Sequence, residues 1–284
     1  MIRHISQLTG GSIRQVCRTL EAPRSSVYHA AEPTPIQVDD LRIGELIESV
    51  FWLHKKRYGS RRIWEALNDR DVVCAMSRVR RIMKERGLRA IQPKNFIPKT
   101  SDGRADRPCP NLLANQPLPE EPDQVWAGDI TFIPVGSQWC YLAVVIDLCS
   151  RRIVGWKLAD HMRADLVSGA LQQALQTRGT QSNTIFHSDR GSQYGSGPFR
   201  NLLHDAGMRQ SMSARANPHD NAWTESFIGT LKREVPELGH CKDTEEVRRR
   251  LFEYIEAYYH NQRKHSAIGY KTPVQFENQI STQQ

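Results

Sequence analysis

Three acidic residues of the sequence stand where a fold would place a charge next to buried surface. Asp129 lies inside the strand-like run 126–131, Asp189 follows the apolar segment 184–187, and Glu225 lies in a helical pattern. A buried carboxylate costs free energy unless a partner such as a metal ion compensates its charge. Carboxylate oxygens are the ligands that Mg²⁺ prefers, so these three residues indicate a magnesium site.

The chemistry that such a site supports is phosphoryl transfer. Two Mg²⁺ ions about 3.5–4 Å apart can stabilise the attacking and the leaving oxygen of an in-line displacement. Any one Asp or Glu is more often a solvated acid or a helix cap, and that alternative stays open for each residue taken alone. The three together favour the metal site.

The charge of the chain agrees with a nucleic-acid partner. Its 284 residues carry a formal net charge of +8. Residues 1–120 contain 21 Lys and Arg against 13 Asp and Glu, whereas residues 121–284 contain 18 of each. The excess positive charge therefore lies in the N-terminal part, which we expect to contact phosphates, with a solvated basic segment as the alternative.

Cysteine usage and hydropathy argue against other classes of protein. The six cysteines form no C-x-x-C pair and no zinc-like cluster with histidine, so neither a zinc site nor a disulfide framework is predicted. The sequence has no signal-peptide pattern and no apolar run of membrane-spanning length. We expect a cytoplasmic protein without a membrane partner.

The N-terminal part shows helical periodicity. Helical spacing of apolar residues and a cap at Ser25 predict a small helix-turn-helix-like segment over residues 1–35. Residues 36–91 predict three further helices, with Ser60 and Ser77 as the expected caps of the second and the third. This all-α segment is the expected DNA-binding domain.

Basic residues are concentrated on the third of these helices. A recognition helix that contacts DNA carries positive charge on an amphipathic helix in this way. We expect DNA contacts from this helix, while a solvated basic face has the same pattern. The residues concerned are Arg78, Arg80, Arg81 and Lys84.

The second part of the chain predicts an α/β fold. A Pro-rich, aperiodic stretch over residues 92–122 indicates a linker. Residues 123–240 then predict an antiparallel meander of three strands, followed by helices that alternate with two short strands, which together form a mixed five-stranded sheet. Residues 241–284 are expected to form a C-terminal helical extension.

The predicted elements suggest how the acidic residues meet. If the strand with Asp129 and the strand before Asp189 are neighbours, both carboxylates emerge at one edge of the sheet. At about 100° per residue, Asn221 and Lys232 fall on nearly the same helix face as Glu225. We expect Lys232 and Asn221 to contact DNA, and Lys232 suits a phosphate, although a solvated Lys is an equal alternative.

These residues and the sequence segments around them resemble a known family. Asp129, Asp189 and Glu225, with 35 residues between the last two, resemble the Asp, Asp, Glu triad of retroviral-integrase-type recombinases. The segments 187–194 (HSDRGSQY), 220–232 (DNAWTESFIGTLK) and 259–273 (YHNQRKHSAIGYKTP) resemble transposases of the bacterial insertion-sequence-three family, specifically the product of the second reading frame. The resemblance covers roughly residues 40–277.

The resemblance implies a ribonuclease-H-like catalytic core that uses two Mg²⁺ ions, or Mn²⁺ in their place. It implies cleavage at the ends of the element, followed by attack of the exposed 3′-hydroxyls on target DNA in a copy-and-paste pathway. Carried over by position, Asp129, Asp189 and Glu225 are the metal ligands and catalytic residues, and Lys232 is the phosphate contact. The implied partners are double-stranded DNA, further copies of the chain on DNA, and the product of an upstream reading frame.

Three other residues have weaker claims on the site. Asp147 could join the metal ligands, but a turn-forming Asp is the better interpretation at the end of a strand. His187 could touch the reacting phosphate, but a hydrogen-bonded or packed His is favoured. Trp223 could stack on an unpaired base, and a buried Trp is at least as good an interpretation.

The sequence therefore predicts a DNA transposase. Two alternatives stay open: a nuclease or resolvase of the same fold, which hydrolyses DNA without joining it, and a non-catalytic DNA-binding regulator. Oligonucleotide assays separate the three, because only a transposase yields joined products.

Overall fold

The computed structural model of the protein describes residues 2–23, 34–91, 109–179, 183–214 and 221–283. The chain divides into two compact units, Met1–Ala90 and Ile91–Gln284, and each is described by itself.

The first unit is helical. Its described helices are α1 (Ile2–Thr9), α2 (Ile13–Thr19), α3 (Pro35–Leu53), α4 (Ser60–Asn68) and α5 (Met76–Glu85). The three helices predicted over residues 36–91 are confirmed as α3 to α5. Their apolar faces share one core that includes Ile47, Phe51, Ile63, Leu67 and Val79.

Side chains at the start of two helices satisfy backbone donors. Ser12 and Thr34 each accept a hydrogen bond from the backbone three residues on, and the Gln there bonds back, which completes a capping box. The caps predicted at Ser60 and Ser77 were wrong, because each residue already lies inside its helix and the chain enters through Gly59 or Ala75. The helix start predicted at Ser25 lies outside the described residues.

The second unit is built on a five-stranded sheet. Its strands are β1 (Val125–Val135), β2 (Gln138–Asp147), β3 (Ile153–Ala159), β4 (Ile185–Ser188) and β5 (Arg209–Met212), in the order β3-β2-β1-β4-β5. β1 to β3 form the predicted antiparallel meander, and β4 and β5 run parallel to β1. The predicted mixed five-stranded sheet is confirmed.

Helices cover both faces of this sheet. The α-helices described in the second unit are α6 (Ala164–Arg178), α7 (Ser192–Gly195), α8 (Gly197–Asp205), α9 (Ala222–Glu234), α10 (Thr244–Phe252) and α11 (Pro273–Gln283), beside 3₁₀-helices at Pro236–His240 and Ser266–Ile268 and a π-helix at Glu253–Tyr259. Successive strand residues point to opposite faces. Trp126 and Ile130 of β1 pack with α6 and α8, and Ala127 and Ile133 pack on the face that α9 and α10 cover.

A network of largely buried ion pairs joins the last helix of the chain to residues beside the sheet. Glu277 of α11 pairs with Arg152 beside β3, at 2.6 Å, and with Arg178 at the end of α6. Arg178 also contacts Asp123, just before β1, at 3.0 Å. We call these four side chains the Glu277 clasp, because they join segments that are far apart in the sequence.

Two further observations bear on the sequence predictions. Residues 92–108 of the predicted linker lie outside the described part, and at its later end the backbone N–H of Leu112 donates to Ser211 of β5 at 2.9 Å. Among the described helices, none is both long and apolar enough to cross a membrane.

Candidate active site

Asp129 and Asp189 lie next to each other because their strands do. β1 and β4 are parallel, and Gly128 pairs with Ser188 at the end of the ladder. Asp129 and Asp189 are the next residue on each chain, so they leave this pairing at the same level of the sheet. The condition that the sequence analysis set for a shared site, that the two strands are neighbours in the sheet, is met.

The Asp129 carboxylate is buried in an electrostatically unfavourable place. The residue is 8% exposed, and its Oδ1 accepts one hydrogen bond from the Ile130 N–H at 2.7 Å. Burial raises the pKa of Asp129 to about 8, the negative charge of Asp189 adds to the rise, and Glu225 adds a smaller amount. Lys232 acts in the opposite direction. The site therefore disfavours a bare carboxylate and favours a nearby cation.

Tight packing on the other side of β1 fixes the position of Asp129. A Cβ atom on Gly128 would lie 2.6 Å from Cζ of Phe186 and 3.3 Å from Cε1 of Tyr194. Only glycine lets these two rings lie against the strand here. Tyr194 is buried, and its pKa is raised well above the usual value by burial and by the charges of Asp129 and Asp189.

The Asp189 carboxylate is held by the turn that follows β4. Its Oδ1 accepts a hydrogen bond from the Gly191 N–H at 2.9 Å. This local contact bends the chain into α7, which carries Tyr194. The carboxylate therefore has a defined direction beside Asp129.

Glu225 approaches on the first turn of α9, where its side chain is exposed. Asn221 fixes the beginning of that helix, because its buried amide Nδ2 donates to the backbone oxygen of Gly128 at 3.3 Å. The Thr224 hydroxyl in turn donates to Asn221 Oδ1 at 2.6 Å, which holds the amide in this orientation. The structure thus gives Asn221 a positioning contact one residue from Asp129, and the DNA contact predicted for Asn221 stays a prediction.

Lys232 lies two turns along α9 and is half-buried. Its Nζ sits 4.4 Å from the centre of the Phe132 ring, a cation–π contact. Burial lowers the pKa of Lys232, while the negative charge of Asp129 raises it. The cation predicted to lie near the carboxylates does lie near them.

The carboxylates present suit a Mg²⁺ ion that is bound by two protein side chains rather than by three. In the part of the chain that the structure describes, no three His, Cys, Asp or Glu side chains are gathered closely enough to hold an ion. Mg²⁺ commonly binds through one or two carboxylates, with water and substrate phosphate as its remaining ligands. Asp129 and Asp189 can supply those two, and Glu225 is near enough to influence the charge of Asp129.

The three weaker candidates have structural surroundings of their own. Asp147 is fully buried and accepts hydrogen bonds from the backbone of Asp123 and from Ser150, as expected of a turn-forming residue. Burial raises its pKa to about 6, while those hydrogen bonds lower it. His187 contacts the hydroxyls of Ser211 and Ser213 at 2.8 and 3.3 Å.

Trp223, the third weaker candidate, is partly buried against the apolar core beneath α9. Its packing matches the interpretation of a buried tryptophan.

The predicted DNA contacts on α5 fall into two groups. Arg78 pairs with Asp39 and Asp40, at 2.9 and 2.6 Å, and Arg81 also pairs with Asp40, at 2.6 Å. Arg80 and Lys84 are exposed one turn apart on the same helix. The charges of Arg78 and Arg81 are therefore largely balanced by acids of the protein, whereas the charges of Arg80 and Lys84 face solvent.

One ion pair near the site was missed in the sequence. Glu234 at the end of α9 binds Arg263 at 2.9 Å, and the Tyr254 hydroxyl donates to Glu234 at 3.0 Å. Glu234 and Arg263 are 5% and 4% exposed. Arg263 stands in the segment 259–273 noted for its family resemblance, which was the available signal, but nothing in that segment names its partner.

Family models match both units of the chain. Residues 38–96 match the family described as an HTH-like domain, and residues 119–218 and 206–273 match two families described as an integrase core domain. The catalytic core domain of HTLV-2 integrase, solved in complex with magnesium, matches with a TM-score of 0.43 and 17% identity over 55% of this chain and 97% of that chain.

Similar sequences cover nearly the whole chain. The transposase for insertion sequence element IS904 of Lactococcus lactis is 38% identical over 245 residues, which are 86% of this chain and 97% of the relative. Transposase InsF for insertion sequence IS3A of Escherichia coli is 36% identical over 271 residues, which are 94% of each chain.

Proposed function

Because the chain belongs to the IS3 family of insertion-sequence transposases, we propose that it cleaves DNA at the ends of an insertion sequence and transfers the 3′-hydroxyls to target DNA. The observation that carries this proposal is the pair Asp129 and Asp189 at the level where β1 and β4 part. Two buried or half-buried carboxylates side by side need a cation, and a bound divalent ion would polarise a phosphodiester.

The residues of the site have separate tasks in this proposal. Asp129 and Asp189 would hold the metal, and Glu225 would be a further ligand. Asn221 keeps the start of α9, and so Glu225, at a fixed distance from β1. Lys232 provides a positive charge beside the carboxylates for a DNA phosphate.

The first unit supplies DNA binding in the same proposal. Its family match over residues 38–96 and its excess of positive charge support a helical DNA-binding domain over residues 36–91. We extend the proposal to copy-and-paste transposition by a homo-oligomer on DNA in the cytoplasm, with an upstream reading-frame product as a further partner. The domain boundaries given in the sequence analysis belong to the proposal as well.

The test is a strand-transfer assay with oligonucleotides that carry the ends of the element. We expect products in which a 3′ end is covalently joined to a second duplex, and these need Mg²⁺ or Mn²⁺. Nicks without joined strands would instead identify a nuclease or resolvase. Binding without turnover in either metal would identify a regulator.

A prediction about the metal follows from the charge around Asp129. We expect Mg²⁺ at several times its dissociation constant to stabilise the protein by about 1 kcal/mol, or raise its melting temperature by ~2–4 °C. Asp129→Asn should remove most of this rise because it removes one ligand charge. Thermal melts with and without Mg²⁺ measure the effect, and Asp160→Asn, at an 83% exposed side chain, is the matched control. An equal rise in Asp129→Asn and wild type would refute the assignment.

A prediction about DNA affinity follows from the two groups of basic residues on α5. The double variant Arg80→Ala/Lys84→Ala should bind DNA more weakly and should lower the slope of log K against log salt by about two units, roughly 0.9 for each lost phosphate contact. The control is Arg248→Ala/Arg249→Ala, which removes two exposed charges from the second unit. Titrations by fluorescence anisotropy at several salt concentrations measure the slope. Equal slopes for the α5 variant and its control would contradict the assignment.

A further inference from the structure

Two aromatic side chains extend the candidate active site along the β1–β2 hairpin. Phe132 of β1 and Trp139 of β2 contact edge to face, with ring centres 4.9 Å apart and planes at 88°. Trp139 is 50% exposed, although apolar side chains of this size are mostly buried in the unit around it. Such an exposed aromatic surface beside a polar site is a candidate binding surface.

Lys232 connects this aromatic pair to the carboxylates. Its Nζ lies 4.4 Å from the centre of the Phe132 ring, and its charge acts on Asp129. One cation therefore lies between the candidate metal ligands and the ring that supports Trp139. A DNA strand that places a phosphate on Lys232 would bring its next bases to the aromatic pair.

Beyond Asp129 the sheet narrows to the β1–β2 hairpin that carries the aromatic pair. β4 pairs with β1 only as far as Gly128. Beyond that point, among the residues that the structure describes, residues 129–135 of β1 have β2 as their only ladder partner. The backbone edge that begins at Asp129 therefore runs unpaired toward the hairpin tip.

We propose that Trp139, supported by Phe132, stacks on an unpaired base of the DNA strand whose phosphate lies at Lys232. The proposal rests on the proposed function, because it takes this strand to be the one that enters the carboxylate site. Every base has an apolar face that can stack on an aromatic ring, so the contact would hold a frayed end without reading its sequence.

The spacing along β1 sets where the aromatic pair lies relative to Asp129. Phe132 lies three residues beyond Asp129 along β1. Pro134, the strand partner of Trp139, lies five residues beyond Asp129. At about 3.3 Å per residue these offsets are ~10 and ~17 Å. Both offsets are odd, so the aromatic pair leaves the hairpin on the sheet face opposite to Asp129, and Lys232, which contacts the Phe132 ring and acts on Asp129, links the two faces.

The experiment measures binding without metal, so that no cleavage is needed. The probes are a blunt DNA duplex and the same duplex with a five-nucleotide single-stranded extension that contains the fluorescent base 2-aminopurine. Trp139→Ala should lose roughly tenfold in affinity for the extended probe and change little for the blunt one. Stacking by the wild type should quench the 2-aminopurine signal, and Trp139→Phe should keep most of both effects.

Phe252→Ala is the matched control, since Phe252 is an exposed aromatic residue, 57% accessible, on α10 of the same unit. It should bind both probes as the wild type does. Melting temperatures of all variants check that each one is folded, and light scattering gives their mass.

Three results would overturn the proposal: equal loss on both probes, unchanged binding by Trp139→Ala, or a smaller mass for Trp139→Ala, which would make Trp139 a contact between copies. The two proposals fail in different ways. A wild-type protein that shows the stacking effect but never joins strands would refute strand transfer and keep the stacking site. Normal joining without the stacking effect would refute the stacking site alone.

Discussion

Asp129→Asn, Asp189→Asn and Glu225→Gln should each lower the rate of strand cleavage at least about a hundredfold. A metal that stabilises the reacting oxygens contributes several kcal/mol, and every 1.36 kcal/mol is a factor of ten in rate. Each substitution removes a ligand charge and keeps the shape of the side chain. DNA affinity should stay close to that of the wild type, because Lys and Arg elsewhere carry most of it.

The structure makes this prediction sharper for Asp129 than for the other two residues. Burial and neighbouring carboxylates raise its pKa to about 8, so the metal-free fold already disfavours its charge. Asp129→Asn should therefore lose cleavage while its thermal stability without metal stays at the wild-type value, and Asp160→Asn should lose neither. Cleavage and melting should be measured on the same preparations. Wild-type cleavage by any one of the three variants would remove that residue from the site.

The second large effect concerns stability and lies at the other end of α9. Arg263→Met should lower the free energy of unfolding by about 3–5 kcal/mol, because it leaves the buried Glu234 carboxylate without its partner. Glu234→Leu should cost a comparable amount, because it leaves the buried Arg263 guanidinium without its partner. The double variant Glu234→Leu/Arg263→Met should recover a large part of the loss, since it removes both buried charges together.

Urea unfolding of the four proteins measures this double-mutant cycle. Arg248→Met is the control, because Arg248 pairs with Glu245 on the surface, with side chains 44% and 81% exposed. Such an exposed pair contributes at most about 1 kcal/mol. Additive losses in the double variant would show that Glu234 and Arg263 do not act as a pair.

The two contacts at the ends of α9 explain why this helix can position a metal ligand. Asn221 joins its beginning to Gly128, and Glu234 joins its end to Arg263. Glu225 and Lys232 lie between these fixed points. A helix anchored at both ends holds their backbone in place while their side chains stay accessible to DNA.

Local patterns carried the prediction of most elements of the second unit. A run of β-branched and aromatic residues that ends at a turn signal placed β1 at Val125–Val135, as observed, and a helical pattern placed α9 within two residues of its observed start. These patterns depend on near neighbours in the sequence. The capping choices at Ser60 and Ser77 were wrong because the chain is already helical at each serine, which is the first residue of α4 and the second of α5.

Contacts between distant residues could not be predicted in the same way. The adjacency of Asp129 and Asp189 requires β4 to pair with β1 rather than with another strand, and the sequence could state this only as a condition. Asn221 was interpreted as a DNA contact because its face of α9 was known but its distance to Gly128 was not. The partner of Arg263 is 29 residues away, beyond the range of any periodic pattern.

The Glu277 clasp has a consequence for the order in which the protein is made. Arg152 must wait for a partner 125 residues further along the chain, and Arg178 for one 99 residues further along. At ~5–20 residues per second, the ribosome needs about 6–25 s to add the residues that separate Arg152 from Glu277. During that interval the nascent chain holds two arginines without their final acid, so the Glu277 clasp becomes complete only after Glu277 in α11 has been made.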